Sequence, residues 1–319
     1  MKYYVGIDFG GTSIKIGIVD EEGSIVVKNS FVTDPHKSGE KIVKDIIEFT
    51  QKVMDDSTLP QENILGIGIG APGLLNPELG QLQLLANVPN LNGIFITKAV
   101  SEELNKPVFL DNDVNAMSMG ELYYGSGKGK KNIIALTVGT GVGGGIIING
   151  ELYRGTTFTA GEIGHMSIDR DGKYCACGNY GCLERYVGKE GIIERFKLYQ
   201  SKGIETSINK YLENGQVTPK AIAMAANDGD RISIEVLKET GEILGHAIAS
   251  LVNILNPEMV IIGGGISNAG EVLMEPVRMG MIKHAYIIPA AAVEIVKAKL
   301  GNNAGIVGSA SLARAKLKI

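Results

Sequence analysis

The sequence predicts an α/β protein made of two similar halves. Residues 3–20 predict two short apolar strands around the turn Gly10-Gly11-Thr12, which is a hairpin and not a strand-to-helix crossover. Residues 132–148 repeat this plan around a second turn that begins Gly139-Thr140. Elsewhere, helical periodicity alternates with short apolar runs. A common plan at the head of each half indicates duplication of one kind of domain.

The size and composition fit a two-domain globular protein. The chain has 319 residues, of which 44% are hydrophobic and 21% charged, with a net charge of −4. The basic residues are scattered, which argues against nucleic acid or an anionic membrane as the main partner. Asp8 comes too early for the apolar core of a signal peptide, and no apolar run approaches the ~20 residues of a membrane helix. We expect a cytoplasmic enzyme.

The first half alternates strands and helices. Residues 40–54 carry apolar side chains at a helical period, from Ile42 to Val53. Strands are predicted at residues 3–8, 14–20, 24–28, 64–69 and 107–110. Helices are predicted at residues 40–54, 96–105 and 114–124. Ala71-Pro72-Gly73 forms a loop, and residues 125–131 (GSGKGKK) form a solvated basic turn. That turn is not a Walker loop, because no Ser or Thr follows its lysines.

The second half is richer in helix. Strands are predicted at residues 132–138, 145–148, 259–262 and 293–297. Helices are predicted at residues 189–199, 208–212, 219–226, 233–255, 272–285 and 304–317. Gly139, Gly141 and Gly144 match G-x-G-x-x-G, but a strand follows them where a dinucleotide fold requires a helix. The turn therefore predicts backbone N–H groups and the Thr140 hydroxyl directed at phosphate oxygens.

All three cysteines of the chain lie between Gly161 and Glu184. Cys175, Cys177 and Cys182 follow His165, and three thiolates with one imidazole are the donors that a closed, tetrahedral structural zinc selects. The alternative is three packed thiols and a core histidine. A disulfide is disfavoured, because the count is odd and a cytosolic location is expected.

Four motifs beside the cysteine stretch resemble those of one family. The cysteine stretch, G-E-x-G-H followed by C-x-C-G-x-x-G-C-x-E, resembles the signature of the ROK family of repressors and sugar kinases. D-x-G-G-T at Asp8 and G-T-G-x-G-G-G at Gly139 are similar to the two phosphate motifs of the actin, sugar-kinase and heat-shock-protein superfamily. Gly263-Gly264-Gly265 resembles its adenosine motif, and residues 110–116 (LDNDVNA) resemble the catalytic segment of sugar kinases.

The resemblance covers the whole chain and is strongest to the bacterial glucokinases of the family. It implies two ribonuclease-H-like (actin-like ATPase) domains flanking a cleft. The small domain would be residues 1–113 plus 301–319, and the large domain residues 114–300 with the zinc-binding loop and the nucleotide site. ATP would lie against the large domain and the sugar deep in the cleft, from which domain closure would exclude water.

Phosphoryl transfer requires positioned phosphates, neutralised charge and a base for the attacking hydroxyl. Asp113 is the candidate general base, because it is a carboxylate at a strand end between the two halves. Asp111 is interpreted as a turn residue making Asx hydrogen bonds, which is also the alternative for Asp113. Asp8 is expected to hold Mg²⁺ through water. The expected phosphate-binding residues are Gly10, Gly11, Thr12, Gly139, Thr140 and Gly141, with Lys15 as a further candidate that could simply face solvent.

The resemblance also implies a sugar site and an activity. The residues that would hold sugar hydroxyls are Asn112, Asp113, Glu162, His165 and Glu184, with a backbone contact near Gly73. The implied reaction is ATP-dependent phosphorylation of glucose to glucose 6-phosphate, a step of glycolysis, with ATP, Mg²⁺ and structural Zn²⁺ as cofactors. We also expect a homodimer or a higher homo-oligomer.

Three alternatives remain open at this stage. A ROK kinase could act on another hexose: fructose, mannose, allose or an N-acetylhexosamine. A sugar-responsive regulator of the family would carry a helix-turn-helix, and we expect none in the seven residues before Asp8. An actin-like or chaperone ATPase would have no need of the zinc stretch.

Overall fold

The computed structural model of the chain describes residues 1–10, 13–34 and 36–317. It forms two compact units. The first comprises Met1–Gly129, Glu151–Ala160 and Lys299–Ile319, and the second comprises Lys130–Gly150 and Gly161–Ala298. The predicted α/β class is confirmed. Among the described residues, no helix combines the length and the apolar character needed to cross a membrane.

Strands and helices alternate along most of the chain. The strands are β1 (Tyr3–Phe9), β2 (Ser13–Asp20), β3 (Ile25–Val32), β4 (Ile64–Ala71), β5 (Leu74–Asn76), β6 (Gln81–Leu84), β7 (Val108–Asn112), β8 (Ile133–Val138), β9 (Val142–Ile148), β10 (Glu151–Leu152), β11 (Met259–Gly263) and β12 (Glu294–Lys297). The α-helices are α1 (Gly39–Asp56), α2 (Ile96–Leu104), α3 (Asp113–Tyr124), α4 (Glu184–Val187), α5 (Lys189–Ser201), α6 (Pro219–Asn227), α7 (Arg231–Leu255), α8 (Glu271–His284), α9 (Ile287–Ala292) and α10 (Ala304–Leu317).

The sheet of the first unit has the strand order β3-β2-β1-β4-β7. The β1–β2–β3 meander is antiparallel, whereas β1, β4 and β7 run parallel. Asp8 lies opposite Lys15 on β2 and Gly70 on β4, and Asn112 lies opposite Ala71. Because the ends of parallel strands meet at one sheet edge, Asp8, the turn after β4 and Asn112 lie along the same edge.

Helices cover both faces of this sheet. The apolar side chains of α1 and α2, among them Ile46 and Val100, pack into one core with Ile7 and Ile69 of the sheet. On the other side α10 lies directly on β1 and β4. A Cβ on Gly68 would come within 1.7 Å of the Ser309 carbonyl oxygen, so only glycine allows so close an approach.

The second unit is built on strands β8, β9, β11 and β12. β8 pairs antiparallel with β9 and parallel with β11, and β11 pairs parallel with β12. Buried side chains of the sheet and of α5, α6, α7 and α8, such as Leu136, Phe196 and Ile248, form its core. The parallel arrangement brings the ends of β8 and β11 together, and these ends carry the turns at Gly139 and Gly263.

The structure contains elements that the sequence analysis did not predict, and some predicted elements and segments have different bounds or belong to a different unit. The β5–β6 pair and α9 were not predicted, and residues 208–212 form only a 3-10 turn, Ile208–Tyr211. Helix α3 packs against α10, so residues 114–129 belong to the first compact unit together with the C-terminal helix. Residues 151–160 also belong to that unit.

Candidate functional site

The first group of candidate residues lies where β7 ends and α3 begins. The Asn112 side chain caps α3, its Oδ1 accepting hydrogen bonds from the backbone N–H of Val114 (2.9 Å) and Asn115 (3.4 Å). Asp113 is the first residue of α3, and its Oδ1 accepts from the Val114 N–H at 2.9 Å. Both candidate side chains are therefore held in place by the helix start. Gly73 follows β4 at the same edge of the sheet.

A buried ion pair between Asp111 and Arg154 holds the end of β7 in place. Asp111 is 2% exposed, and its Oδ2 accepts a hydrogen bond from Nε of Arg154 at 2.7 Å. Its Oδ1 accepts from the Asn112 N–H (2.9 Å) and the Asn115 amide (2.8 Å). The turn expected at Asp111 is not formed, because Asp111 lies in β7 and its Oδ1 accepts from the N–H of the next residue, not from the N–H two residues on as in an Asx turn. Arg154 was missed, because nothing local to it in the sequence identifies its partner.

Asp8 and Lys15 form an ion pair across β1 and β2, with Lys15 Nζ 3.3 Å from Asp8 Oδ2. Lys15 therefore does not merely face solvent. The Asp8 carboxylate also lies against Gly305 at the start of α10, where a Cβ would come within 2.3 Å of its Cγ. After β1, the Gly10 N–H donates a hydrogen bond to the Ser13 carbonyl oxygen at 3.0 Å. The predicted phosphate ligands Gly11 and Thr12 lie outside the described residues.

The second predicted phosphate turn, Gly139 to Gly141, is held by the start of α5 and by a carboxylate. The Lys189 N–H donates to the carbonyls of Gly139 (3.0 Å) and Thr140 (3.3 Å). Oε2 of Glu184 accepts from the Val142 N–H at 3.1 Å. A Cβ on Gly141 would lie 2.2 Å from the same oxygen, so this position must be glycine while Glu184 stays where it is.

The predicted sugar ligands are Glu162, which precedes the 3-10 turn Ile163–His165, and His165, which ends it, and this turn packs on β9. A Cβ on Gly164 would lie 2.1 Å from the Val142 carbonyl oxygen, so the G-E-x-G-H motif lets the turn lie flat against the strand. Glu162 is exposed and His165 half-buried. Both side chains therefore remain accessible beside the glycine-rich strand.

The three cysteines and His165 form one cluster, with their ligand atoms all within 4.8 Å of one another. Cys175 Sγ lies 3.7 Å from His165 Nδ1, and Cys177 Sγ lies 3.6 Å from Cys182 Sγ. A tetrahedron with Zn–S bonds of 2.3 Å has edges of about 3.8 Å, whereas a disulfide requires about 2.05 Å. The spacing fits ligands around a zinc ion better than a disulfide.

The thiols of the cluster differ in how readily they ionise when no cation is bound. Burial raises the pKa of the Cys182 thiol to about 12, and the neighbouring Cys177 and Cys175 thiols add to the rise. The backbone N–H of Asn179 lowers the pKa of the exposed Cys177. Without a cation Cys182 keeps its proton at neutral pH, whereas a metal ion would displace that proton. Three sulfurs and one imidazole nitrogen are a donor set that fits structural zinc.

Glu184 connects the cysteine cluster with the glycine turn. Its Oε1 lies 3.9 Å from Cys175 Sγ, while its Oε2 accepts from the Val142 N–H. A displacement of Cys175 would therefore act on a carboxylate that also supports the glycine turn.

A cavity of about 480 Å³ opens beside that turn within the second unit. It is lined by Gly139, Thr140, Lys189, Glu213, Thr218, Pro219, Lys220, Ala223, Met224, Gly265, Ile266 and Asn268. Gly265 follows Gly263 and Gly264 at the end of β11. The apolar walls suit a flat ring. The rim carries the ion pair at 2.7 Å between Lys220, the second residue of α6, and Glu213 in the segment before it, which the sequence analysis missed because no motif marks either residue.

Comparisons with known proteins agree on one family. The ROK family model matches residues 4–316. A glucokinase of Halalkalibacterium halodurans is 36% identical over 318 residues, covering 98% of this chain and 95% of the relative. A xylose repressor of Caldicellulosiruptor bescii is 33% identical over 304 residues, covering 95% of this chain and 76% of the relative. The crystal structure of a ROK family glucokinase from Streptomyces griseus with glucose and AMPPNP matches with a TM-score of 0.81 at 31% identity, covering 98% and 99% of the two chains.

Proposed function

The chain belongs to the ROK family and has the actin-like ATPase fold of its sugar kinases, and from this premise we propose that it transfers a phosphoryl group from ATP to glucose, forming glucose 6-phosphate. The glucokinase relatives support an ATP-dependent sugar kinase. The observation that carries the proposal is the placement of Glu184. This one carboxylate contacts the cysteine cluster and the glycine turn that lines the cavity, so the candidate sugar and phosphate sites share a support.

The cavity beside Gly139 and Gly265 suits the adenosine part of ATP. Its apolar walls, including Met224 and Ile266, would pack on the base, and the turn N–H groups with the Thr140 hydroxyl would donate to phosphate oxygens. Gly10, Gly11 and Thr12 would contribute further phosphate donors. Mg²⁺ accompanying ATP would neutralise phosphate charge, with Asp8 holding it through water.

Asp113 is proposed as the general base that accepts the proton of the attacking sugar hydroxyl. It suits this role because its carboxylate is positioned by the start of α3 and does not depend on a mobile loop. Asn112, Glu162, His165 and Glu184 would bind sugar hydroxyls, together with a backbone group near Gly73, since carboxylates, amides and imidazoles accept or donate in fixed directions.

His165, Cys175, Cys177 and Cys182 would hold one structural zinc ion. With four protein ligands no coordination position is left for a reactive water, so the ion would only fix the loop. Nδ1 of His165 faces the sulfurs, which leaves Nε2 as a fixed donor to a sugar hydroxyl. We also propose that the protein acts as a homodimer or higher homo-oligomer.

An ADP-release assay across hexoses tests the proposed reaction. With ATP and Mg²⁺, glucose is expected to give a kcat/KM at least about tenfold above fructose, mannose, allose and N-acetylglucosamine, equivalent to about 1.4 kcal/mol in transition-state binding. A different best hexose would reassign the substrate but keep the chemistry. Calorimetric sugar binding without ADP release from any hexose would instead favour a regulator, in line with the xylose repressor relative.

A further inference from the structure

Lys189 is one of two lysines that line the cavity beside the Gly139 turn, the other being Lys220. It is the first residue of α5, and its backbone N–H donates to the carbonyl oxygens of Gly139 and Thr140 at 3.0 and 3.3 Å. These backbone contacts hold Lys189 directly beside the turn, while its side chain is exposed. A cation is therefore carried to the place where phosphate oxygens are expected.

The two lysines of the cavity differ in their charge partners. Lys220 Nζ lies 2.7 Å from Oε1 of Glu213, whose Oε2 accepts a hydrogen bond from the Thr218 hydroxyl at 3.0 Å. For Lys189, no carboxylate of the described residues lies within ion-pair distance of the ammonium group. The protein neutralises one of the two charges at this cavity and leaves the other without a partner.

The helix that carries Lys189 gives no reason for a cation at this position. Glu190 is the next residue of α5, but its carboxylate is paired with Arg185. A lysine in the first turn is unfavourable for the helix itself, because that end of a helix already carries a partial positive charge. The reason for the lysine must therefore lie outside α5.

Two glycines leave open space in the same cavity. A Cβ on Gly139 or on Gly265 would meet no atom within 4 Å, and neither residue has a positive φ. Neither crowding by protein atoms nor backbone conformation requires glycine at these two positions. Glycine is the residue that lets a ligand approach the backbone closely, so both positions indicate a bound molecule in this space.

The lining of the cavity describes the chemistry of that molecule. Met224 and Ile266 supply apolar surface, whereas the Thr140 hydroxyl and the Lys189 ammonium group supply a donor and a positive charge. The volume of about 480 Å³ falls in the range of roughly 300–1,000 Å³ that is typical of cofactor sites. A ligand with a flat apolar part and an anionic part matches both kinds of wall.

We propose that the Lys189 ammonium group binds the phosphate chain of the nucleotide and makes its affinity depend on the phosphate charge, an inference that rests on the proposed function. Hydrogen bonds from a charged donor to phosphate are about twice as strong as neutral ones. The N–H groups of the turn and the Thr140 hydroxyl would orient the phosphate oxygens, and Lys189 would add a full positive charge. ADP should therefore depend on Lys189, whereas adenosine should not.

Titration calorimetry on the full chain, with Mg²⁺-free ADP and with adenosine, tests this role. Lys189→Met should weaken ADP binding at least about tenfold and change adenosine binding less than about twofold, because Met keeps the apolar stem and loses the charge. Lys189→Arg keeps the charge and should bind ADP within about threefold of the wild type. Lys197→Met is the matched control, an exposed lysine further along α5, and should leave both affinities unchanged.

Two further measurements identify charge as the cause. Raising the salt concentration from about 0.05 to 0.3 M should weaken ADP binding more in the wild type than in Lys189→Met, since salt screens an exposed charge. In steady-state kinetics Lys189→Met should raise KM for ATP and leave KM for glucose unchanged. Circular dichroism melts should be alike for all variants, because the Lys189 side chain is exposed.

The results distinguish this role from the proposed reaction. A wild type that phosphorylates glucose, with a Lys189→Met variant that binds ADP equally tightly, overturns the role of Lys189 and leaves the kinase intact. Equal losses for ADP and adenosine in Lys189→Met overturn it too, because the side chain would then only shape the cavity. A wild type that binds neither ADP nor adenosine overturns both this role and the placement of ATP in the cavity.

Discussion

Arg154 donates a hydrogen bond from Nε to Oδ2 of Asp111 at 2.7 Å, and Asp111 is 2% exposed. The other oxygen of Asp111 binds the N–H of Asn112 and the amide of Asn115. The ion pair therefore fixes the residues on either side of Asp113. The proposed catalytic base is supported by a cation that lies 43 residues away from Asp111 along the chain.

Arg154→Met should destabilise the protein by about 3 kcal/mol, because it leaves a buried carboxylate without its cation. Urea denaturation followed by circular dichroism measures this loss. The matched control is Arg154→Met combined with Asp111→Asn, which removes the uncompensated charge and should recover part of the stability. A loss below about 0.5 kcal/mol in the single variant, as for an exposed ion pair, would contradict the buried-pair account.

Asp113→Asn should lower kcat by about 10²–10⁴-fold while glucose binding persists, since the amide keeps the shape and loses the proton acceptor. Steady-state kinetics and titration calorimetry together measure the two quantities. Asp56→Asn, on the exposed end of α1, is the control for a carboxylate-to-amide change and should leave kcat unchanged. Near-normal turnover in Asp113→Asn would remove this residue from the base role.

Cys177→Ala should lose the metal and raise KM for glucose strongly, with KM for ATP much less affected. Cys177 is exposed, so removing its sulfur costs little packing, and an effect on the sugar site must come from the lost ligand. Elemental analysis should find about one zinc per chain in the wild type and in the control Ala176→Ser, an exposed neighbour. Full activity in a zinc-free wild type would show that the cysteines are only packed thiols.

Gly141→Ala should displace Glu184, because the new Cβ would lie 2.2 Å from its Oε2. We expect a raised KM for glucose and a melting temperature lower by several degrees, since overpacking costs about 1–3 kcal/mol. Gly139→Ala is the control in the same turn, because a Cβ there meets no atom within 4 Å. Its KM for glucose should stay normal even if ATP binding changes. Equal effects of both substitutions on glucose would argue against the Glu184 contact as their cause.

The sequence alone determined the features that depend on neighbours in the chain. Apolar periodicity predicted most strands and helices, since burial demands one apolar face at the period of each element. The clustering of Cys175, Cys177 and Cys182 predicted the group that the structure brings together with His165, because the ligands lie within one short loop. The bound metal and the catalytic role of Asp113 stay predictions.

The tertiary structure decided what depends on contacts between distant segments. The pairing of Arg154 with Asp111 and the packing of α3 on α10 have no local pattern, since each is set by how separate elements pack. The exposure of α9 is of the same kind. An apolar run such as residues 285–293 predicts burial, and only the folded chain shows that Tyr286, Ile287 and Ile288 stay exposed while Ala290 packs against the core.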